Sequence, residues 1–260
     1  MDLKLKHKNA LVCGSTQGIG KATALALANE GARVTLVSRN ESKLVAVLAD
    51  LPKDSGHDYI VADFTNPEDL KAKVNAYIDE HQGFHILVNN TGGPKSGALF
   101  SATTEEFTNA FNMHVICNQI LAQAVVPFMK SENYGRIINV ISTSVKEPIP
   151  MLGVSNTIRN AVANWSKTLS TELGEFGITA NNVLPGFTDT ARLDQIIKIK
   201  AERSNMSEEA MAGLMKSWVP AKRFAKPEET ANAITFLASE AAAYINGINL
   251  PVDGGRTKSL

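Results

Sequence analysis

No apolar run in the 260-residue chain approaches the ~20 residues needed to cross a bilayer, which argues against a membrane-spanning protein. Residues 1–8 lack the apolar stretch and small-residue cleavage site of a secretory signal, so the cytoplasm is the expected compartment. Neither sign of charge is in excess. The 26 Lys and Arg balance 26 Asp and Glu, and a formal net charge of zero argues against a broad electrostatic surface for nucleic acid or an anionic membrane. Cysteine is scarce: Cys13 and Cys117 have neither metal-ligand spacing nor a disulfide framework, so no metal is expected and both read as small buried apolar residues. Aromatic residues make up only 6%, which leaves Ala, Val, Ile and Leu to build the core. No repeat, low-complexity tract or linker divides the chain. A single domain over residues 1–260 is expected, large enough to bury about 70% of its extended-chain surface.

What the sequence does contain is a rhythm. Short aliphatic and β-branched runs at 9–13, 33–37, 58–62, 85–89, 136–141, 179–184 and 248–252 read as strands covered on both faces. Helical spacing fills the intervals at 19–29, 67–80, 104–130, 155–175 and 227–239. This alternation predicts an α/β protein with a doubly wound parallel sheet. Asn40 is placed as a helix N-cap, Pro67 and Pro227 as first-turn prolines, and Gly31 and Gly177 as helix C-terminal caps. Residues 191–220, rich in charge and Met, fit the rhythm least and read as a helical substrate flap inserted before the last strand.

Directly after the first strand comes Gly14-Ser15-Thr16-Gln17-Gly18-Ile19-Gly20, opening into an Ala- and Leu-rich helix. Three glycines in this context permit a tight turn, close backbone approach to a pyrophosphate and close helix–strand packing, while the helix N-terminus offers N–H groups and positive dipole. About twenty residues on, the second strand ends at Ser38-Arg39. An acidic residue there would accept from a ribose 2′-hydroxyl; Ser38 and Arg39 instead suit a 2′-phosphate, favouring NADP(H) over NAD(H). Asp63 follows the third strand and Asn89-Asn90-Thr91-Gly92-Gly93 the fourth, and in a parallel sheet these loops open at one carboxyl edge.

Together with Gly135-Arg136-Ile137-Ile138-Asn139 leading to Ser142, Asn182-x-x-x-Pro185-Gly186 with Thr190, and Val252-Asp253-Gly254-Gly255, these residues resemble the short-chain dehydrogenase/reductase family over nearly the whole chain. Within it the sequence is most similar to 3-oxoacyl carrier-protein reductases. The resemblance implies a single-domain Rossmann fold of about seven strands, a nicotinamide cofactor, carbonyl–alcohol interconversion of a small molecule and a homotetramer or homodimer. It also implies that Pro185-Gly186 flanks the nicotinamide and that Thr190 approaches the pyrophosphate or carboxamide. Phe64, beside Asp63, and Thr188, beside Gly186, complete the expected cofactor set with Asn90, Thr91 and Gly92.

The family's acid–base positions are where the chain departs. Where the resemblance implies Tyr-x-x-x-Lys there stands Ser155-x-x-x-Arg159, and where it implies Asn there stands His114; only Ser142 remains. Ser155 and Arg159 share a helix face at i,i+4, so both are expected in the site, with Arg159 also a cofactor ligand. A serine hydroxyl is a poorer acid than tyrosine and arginine cannot relay a proton, so His114 and Lys146 are the two candidate proton donors. The bland alternatives are a helix histidine bonded to the backbone and a loop lysine. Two functions follow: an NADP(H)-dependent oxidoreductase with an altered catalytic set, or an NADP(H)-binding regulator or partner subunit without turnover. A Ser142–His114 hydrolase is disfavoured because no Gly-x-Ser-x-Gly elbow surrounds Ser142.

Overall fold

The computed structural model describes residues 2–53 and 55–259. Seven strands form it: β1 (Asn9–Cys13), β2 (Arg33–Ser38), β3 (Asp58–Val61), β4 (Ile86–Asn89), β5 (Gly135–Val140), β6 (Ile178–Pro185) and β7 (Asn249–Val252). They make one parallel sheet in the order β3-β2-β1-β4-β5-β6-β7, so the chain reverses its direction of travel between β1 and β4. Loops leaving the carboxyl ends of those two strands diverge there and open a crevice.

Alternation along each strand sends side chains to two separate cores. Ala10 and Val12 join Val34, Leu36 and the inner faces of α1 (Gly18–Asn29), α2 (Glu41–Asp50) and α9 (Pro227–Leu237). Leu11 and Cys13 join Val37, Leu87, Ile137 and residues from α3 (Pro67–Glu80), α5 (Cys117–Ser131) and α6 (Gly153–Leu173). Every residue of β1 is buried, which is why the strand reads as a continuous apolar run. Both cysteines are buried free thiols, and burial raises the pKa of each, Cys117 to about 12.

The local punctuation is as expected. Asn40 Oδ1 accepts from Lys43 N at 3.0 Å, Pro67 and Pro227 open their helices, and Gly31 and Gly177 adopt φ of +88° and +68° after the helices they end. One expectation is corrected. The helix expected over 104–130 is α4 (Thr104–Phe111), a π turn (Asn112–Ile116) and then α5. The wide turn puts Cys117 N–H on Asn112 O and holds His114, buried, at its centre. Segment 191–220 forms α7 (Ala191–Ser204) and α8 (Glu208–Ser217) between β6 and β7, packed on a small core of their own from Leu193, Ile197, Ala201, Met211 and Met215. Among the described residues no helix is long and apolar enough to cross a membrane.

Four asparagines run across the sheet. Asn89 Nδ2 donates to Asn139 Oδ1 at 2.8 Å, Asn139 Nδ2 to Asn182 Oδ1 at 2.9 Å, and Asn182 Nδ2 to Asn249 Oδ1 at 2.9 Å. Each is the register partner of the next, so the row links β4, β5, β6 and β7 through side chains as well as backbone.

Candidate active site

The crevice at the carboxyl edge has a volume of about 710 Å³. At one end lies the glycine loop. Gly14 and Gly18 have φ of +59° and +53°, a region L side chains avoid. A Cβ on Gly20 would lie 2.1 Å from Gly14 O, and one on Gly14 would lie 2.5 Å from Asn90 O. The loop is therefore closed against itself and against Asn90, whose Nδ2 donates to Cys13 O and Gly14 O at 3.2 and 3.3 Å. Gly14, Thr16, Gln17, Gly18 and Ile19 line the crevice. Ser15 does not: its buried hydroxyl accepts from Val37 N at 3.1 Å and ties the loop to β2. Gly20 likewise acts through packing and is outside the lining.

Ser38, Arg39, Asp63, Phe64, Asn90, Thr91, Gly92, Pro185, Gly186, Thr188 and Thr190 all line the same space. Thr16 Oγ1 lies 3.4 Å from Ser38 Oγ, joining the glycine loop to the end of β2. Asn40 and Lys43 line the crevice as well and were not foreseen as site residues from the sequence; Asn40 caps α2 and Lys43 lies in its first turn. At the far end Ser142, Ser155 and Arg159 share one wall. Arg159 is buried, and its Nη1 donates to Val140 O at 3.0 Å, which aims the guanidinium along the strand end. Burial and then the charge of Arg192 lower its pKa to about 10, so it stays cationic at neutral pH. Ser142 Oγ accepts from Ser144 N at 3.1 Å and caps a short 3₁₀ turn.

The two foreseen proton donors sit elsewhere. His114 lines a neighbouring cavity of about 350 Å³ with Lys95, Glu105 and Asn109. Its Nδ1 is 2.7 Å from Thr91 Oγ1, a crevice residue. Burial, and then Arg159, push its pKa down to about 2, so the ring is neutral and holds no imidazolium proton to donate. Lys146, half-buried at the end of the 3₁₀ turn, lines neither cavity. No displaced tyrosine substitutes: Tyr59 bonds Glu41, Tyr77 bonds Thr35, Tyr134 bonds Ala238 O and Tyr244 is exposed.

Residues 14–257 match the family profile described as enoyl-(acyl carrier protein) reductase. The chain belongs to the short-chain dehydrogenase/reductase family. Relatives include the NADPH-dependent reductase BacG of Bacillus subtilis, 31% identical over 98% of this chain and 100% of its own. Another is the 3-oxoacyl-acyl-carrier-protein reductase FabG of Vibrio cholerae, 35% identical over 97% of this chain and 98% of its own. Among solved structures, L-sorbose reductase from Gluconobacter frateurii, complexed with NADPH and L-sorbose, superposes with a TM-score of 0.93 at 32% identity, covering both chains fully. YwfH, an NADPH-dependent reductase involved in bacilysin biosynthesis, gives 0.93 at 28% identity over 98% of this chain and 100% of its own. As a short-chain dehydrogenase/reductase, the protein is an oxidoreductase.

Proposed function

We propose that the protein is an NADPH-dependent reductase interconverting a carbonyl and an alcohol on a small molecule. The observation that carries this reading is the continuous crevice, in which a glycine cradle at one end and Ser142, Ser155 and Arg159 at the other line a single space. The cradle fits a dinucleotide: side chains at Gly14, Gly18 or Gly20 would fill or strain the place where backbone must approach a pyrophosphate. Arg39 after β2 and Lys43 in the first turn of α2 supply two cations to the lining, with Asp63, after the neighbouring β3, in the same lining. That charge pattern favours a 2′-phosphate, hence NADP(H) over NAD(H), in accord with relatives named as NADPH-dependent.

When bound, the nicotinamide nucleotide supplies the two-electron reduction. The chain's own residues then act on the carbonyl oxygen. Ser142 and Ser155 donate hydrogen bonds to it, and the Arg159 cation stabilises the negative charge that develops there. Neither serine is acidic enough to replace a tyrosine, so the proton comes from water admitted to this open crevice and passes through Ser155. Thr91, held by neutral His114, fixes the loop opposite. α7 and α8 form the substrate flap, and the assembly is a cytoplasmic homotetramer or homodimer.

The test is NADPH oxidation across a panel of ketones after saturation with cofactor has been shown by fluorescence. Ser155→Ala is expected to lower kcat by about 100- to 1000-fold with the NADPH Kd unchanged, one hydrogen-bond donor to a developing oxyanion being of that size. Tight NADPH binding without oxidation of any ketone would instead establish a binding protein without turnover.

A further inference from the structure

Two arginines on different helices converge on one loop at the reactive end of the crevice. Arg159 of α6 presents Nη2 to Gly93, where a Cβ would lie 3.6 Å away. Arg192, in the first turn of α7, donates from Nη2 to Pro94 O at 3.0 Å, across 98 residues of sequence. Consecutive residues of the loop after β4 thus carry a guanidinium each, and both guanidiniums line the crevice that Ser142 and Ser155 also line.

Such a juxtaposition of like charges costs stability unless an anion completes it. The protein supplies none: among the described residues neither arginine has a salt-bridge partner. Among the described residues the single carboxylate in the lining is Asp63, which follows β3, and its Oδ1 already accepts from Thr65 N. Glu105 and Glu106 face the adjoining cavity, where Lys95 lies too, and Glu106 closes the α4 cap by accepting from Thr103 N. The cofactor's diphosphate belongs over the cradle, where Thr190, the N-cap of α7 two residues before Arg192, closes on Gly18 with a would-be Cβ contact of 3.1 Å. Around the arginines the wall is apolar, from Met113, Leu152, Phe187, Leu193 and Ile196.

We propose that the substrate is a carbonyl compound bearing a carboxylate on an apolar body, and that Arg192, reinforced by Arg159, binds the carboxylate above Gly93 and Pro94. This rests on the reductase reading and names its substrate class. Arg192 is the specificity residue: it is exposed, its Nη1 donates to Gln195 Oε1 at 3.5 Å and its Nη2 to Pro94 O at 3.0 Å, its remaining N–H groups suit a forked pair with a carboxylate, and its helix starts the flap. Arg159 contributes charge from below while acting on the reacting oxygen.

The experiment uses the full chain. NADPH affinity is measured by fluorescence. Then 2-oxo-4-phenylbutanoate and 3-oxohexanoate, each beside its ethyl ester, are titrated by calorimetry into protein saturated with NADP⁺. At least one acid is expected to bind 10-fold or more tightly than its ester. Arg192→Leu is expected to bring that ratio to about one while changing NADPH affinity less than 3-fold, and Arg192→Lys to keep part of the preference. Equal binding of acid and ester for both pairs overturns the proposal. So does an Arg192→Leu variant that keeps the acid preference, or one that loses NADPH affinity 10-fold and leaves the acid-to-ester ratio untouched, since Arg192 would then serve the cofactor's phosphates. Failure of the wild-type protein to bind NADPH is a different result: it removes the reductase reading itself, and the acid-to-ester ratio on the free protein then stands or falls alone.

Discussion

Acidification should expose the cost of burying His114. In the folded protein its pKa is pushed down to about 2 by burial and by Arg159, whereas in the unfolded chain it has the ordinary value near 6.5. Below pH 6.5 the unfolded chain takes up a proton that the folded protein refuses until pH nears 2, so stability is lost as pH falls through that window. At 1.36 kcal/mol per pH unit, the loss from this one residue between pH 6.5 and 5.0 is about 2 kcal/mol. His57 and His85 have pKa values lowered in the same direction, so the whole protein loses more than that. A difference of differences isolates His114. Urea unfolding of the wild-type protein and His114→Gln is measured at pH 7.5 and 5.0 at fixed ionic strength. The packing cost of the substitution is the same at both pH values and cancels. The wild-type protein should lose about 2 kcal/mol more than the variant over this interval, and losses that agree within ~0.5 kcal/mol would refute the argument that the ring is held neutral.

Gly20→Ala drives a methyl against Gly14 O, and should cost about 1–3 kcal/mol of stability by thermal or urea unfolding while abolishing measurable NADPH binding; unaltered binding would sink the pyrophosphate cradle. Arg39→Ala should weaken NADPH binding about 10- to 100-fold and leave NADH binding within ~2-fold, since only the 2′-phosphate loses a charged partner; equal weakening of both shows that Arg39 recognises something other than that phosphate. Asn139→Leu orphans Asn89 Nδ2 and Asn182 Oδ1 inside the sheet and should cost about 2–4 kcal/mol, read as a lower urea midpoint.

The sequence made the sheet legible because strands buried on both faces leave uninterrupted aliphatic runs, as in Asn9–Cys13, and because glycine and proline mark the ends of neighbouring helices. The glycine loop was equally readable, since the positive φ of Gly14 and Gly18 and the packing of Gly20 on Gly14 O are backbone geometry that few other residues meet. The direction of the Ser15 hydroxyl was not legible, because its place in the loop says nothing of where the side chain faces, and that is set by Val37. The π turn left no mark: Asn112-Met113-His114-Val115-Ile116 contains no glycine or proline, and an extra residue in a helix is accommodated by packing against the loop after β4. Arg192 on Pro94 was invisible for another reason. A contact between a helix start and a loop 98 residues apart follows from sheet order, and no local pattern encodes it.

The row of asparagines has a sense as well as a position. Each amide gives its N–H₂ toward β7 and offers its oxygen toward β4, so the four groups form a chain in which no member can turn over alone without setting two oxygens or two N–H₂ groups face to face. At the β4 end the arrangement leaves Asn89 Oδ1 buried without a partner. Reversal would bury an N–H₂ there instead, and unpaired donors are tolerated less well in protein interiors than under-used carbonyl oxygens. The four strands under the reactive end of the crevice therefore share a single all-or-none orientation, a one-way lock that ties the fine alignment of β4, which carries the Asn90–Pro94 loop, to that of β7 at the far edge of the sheet.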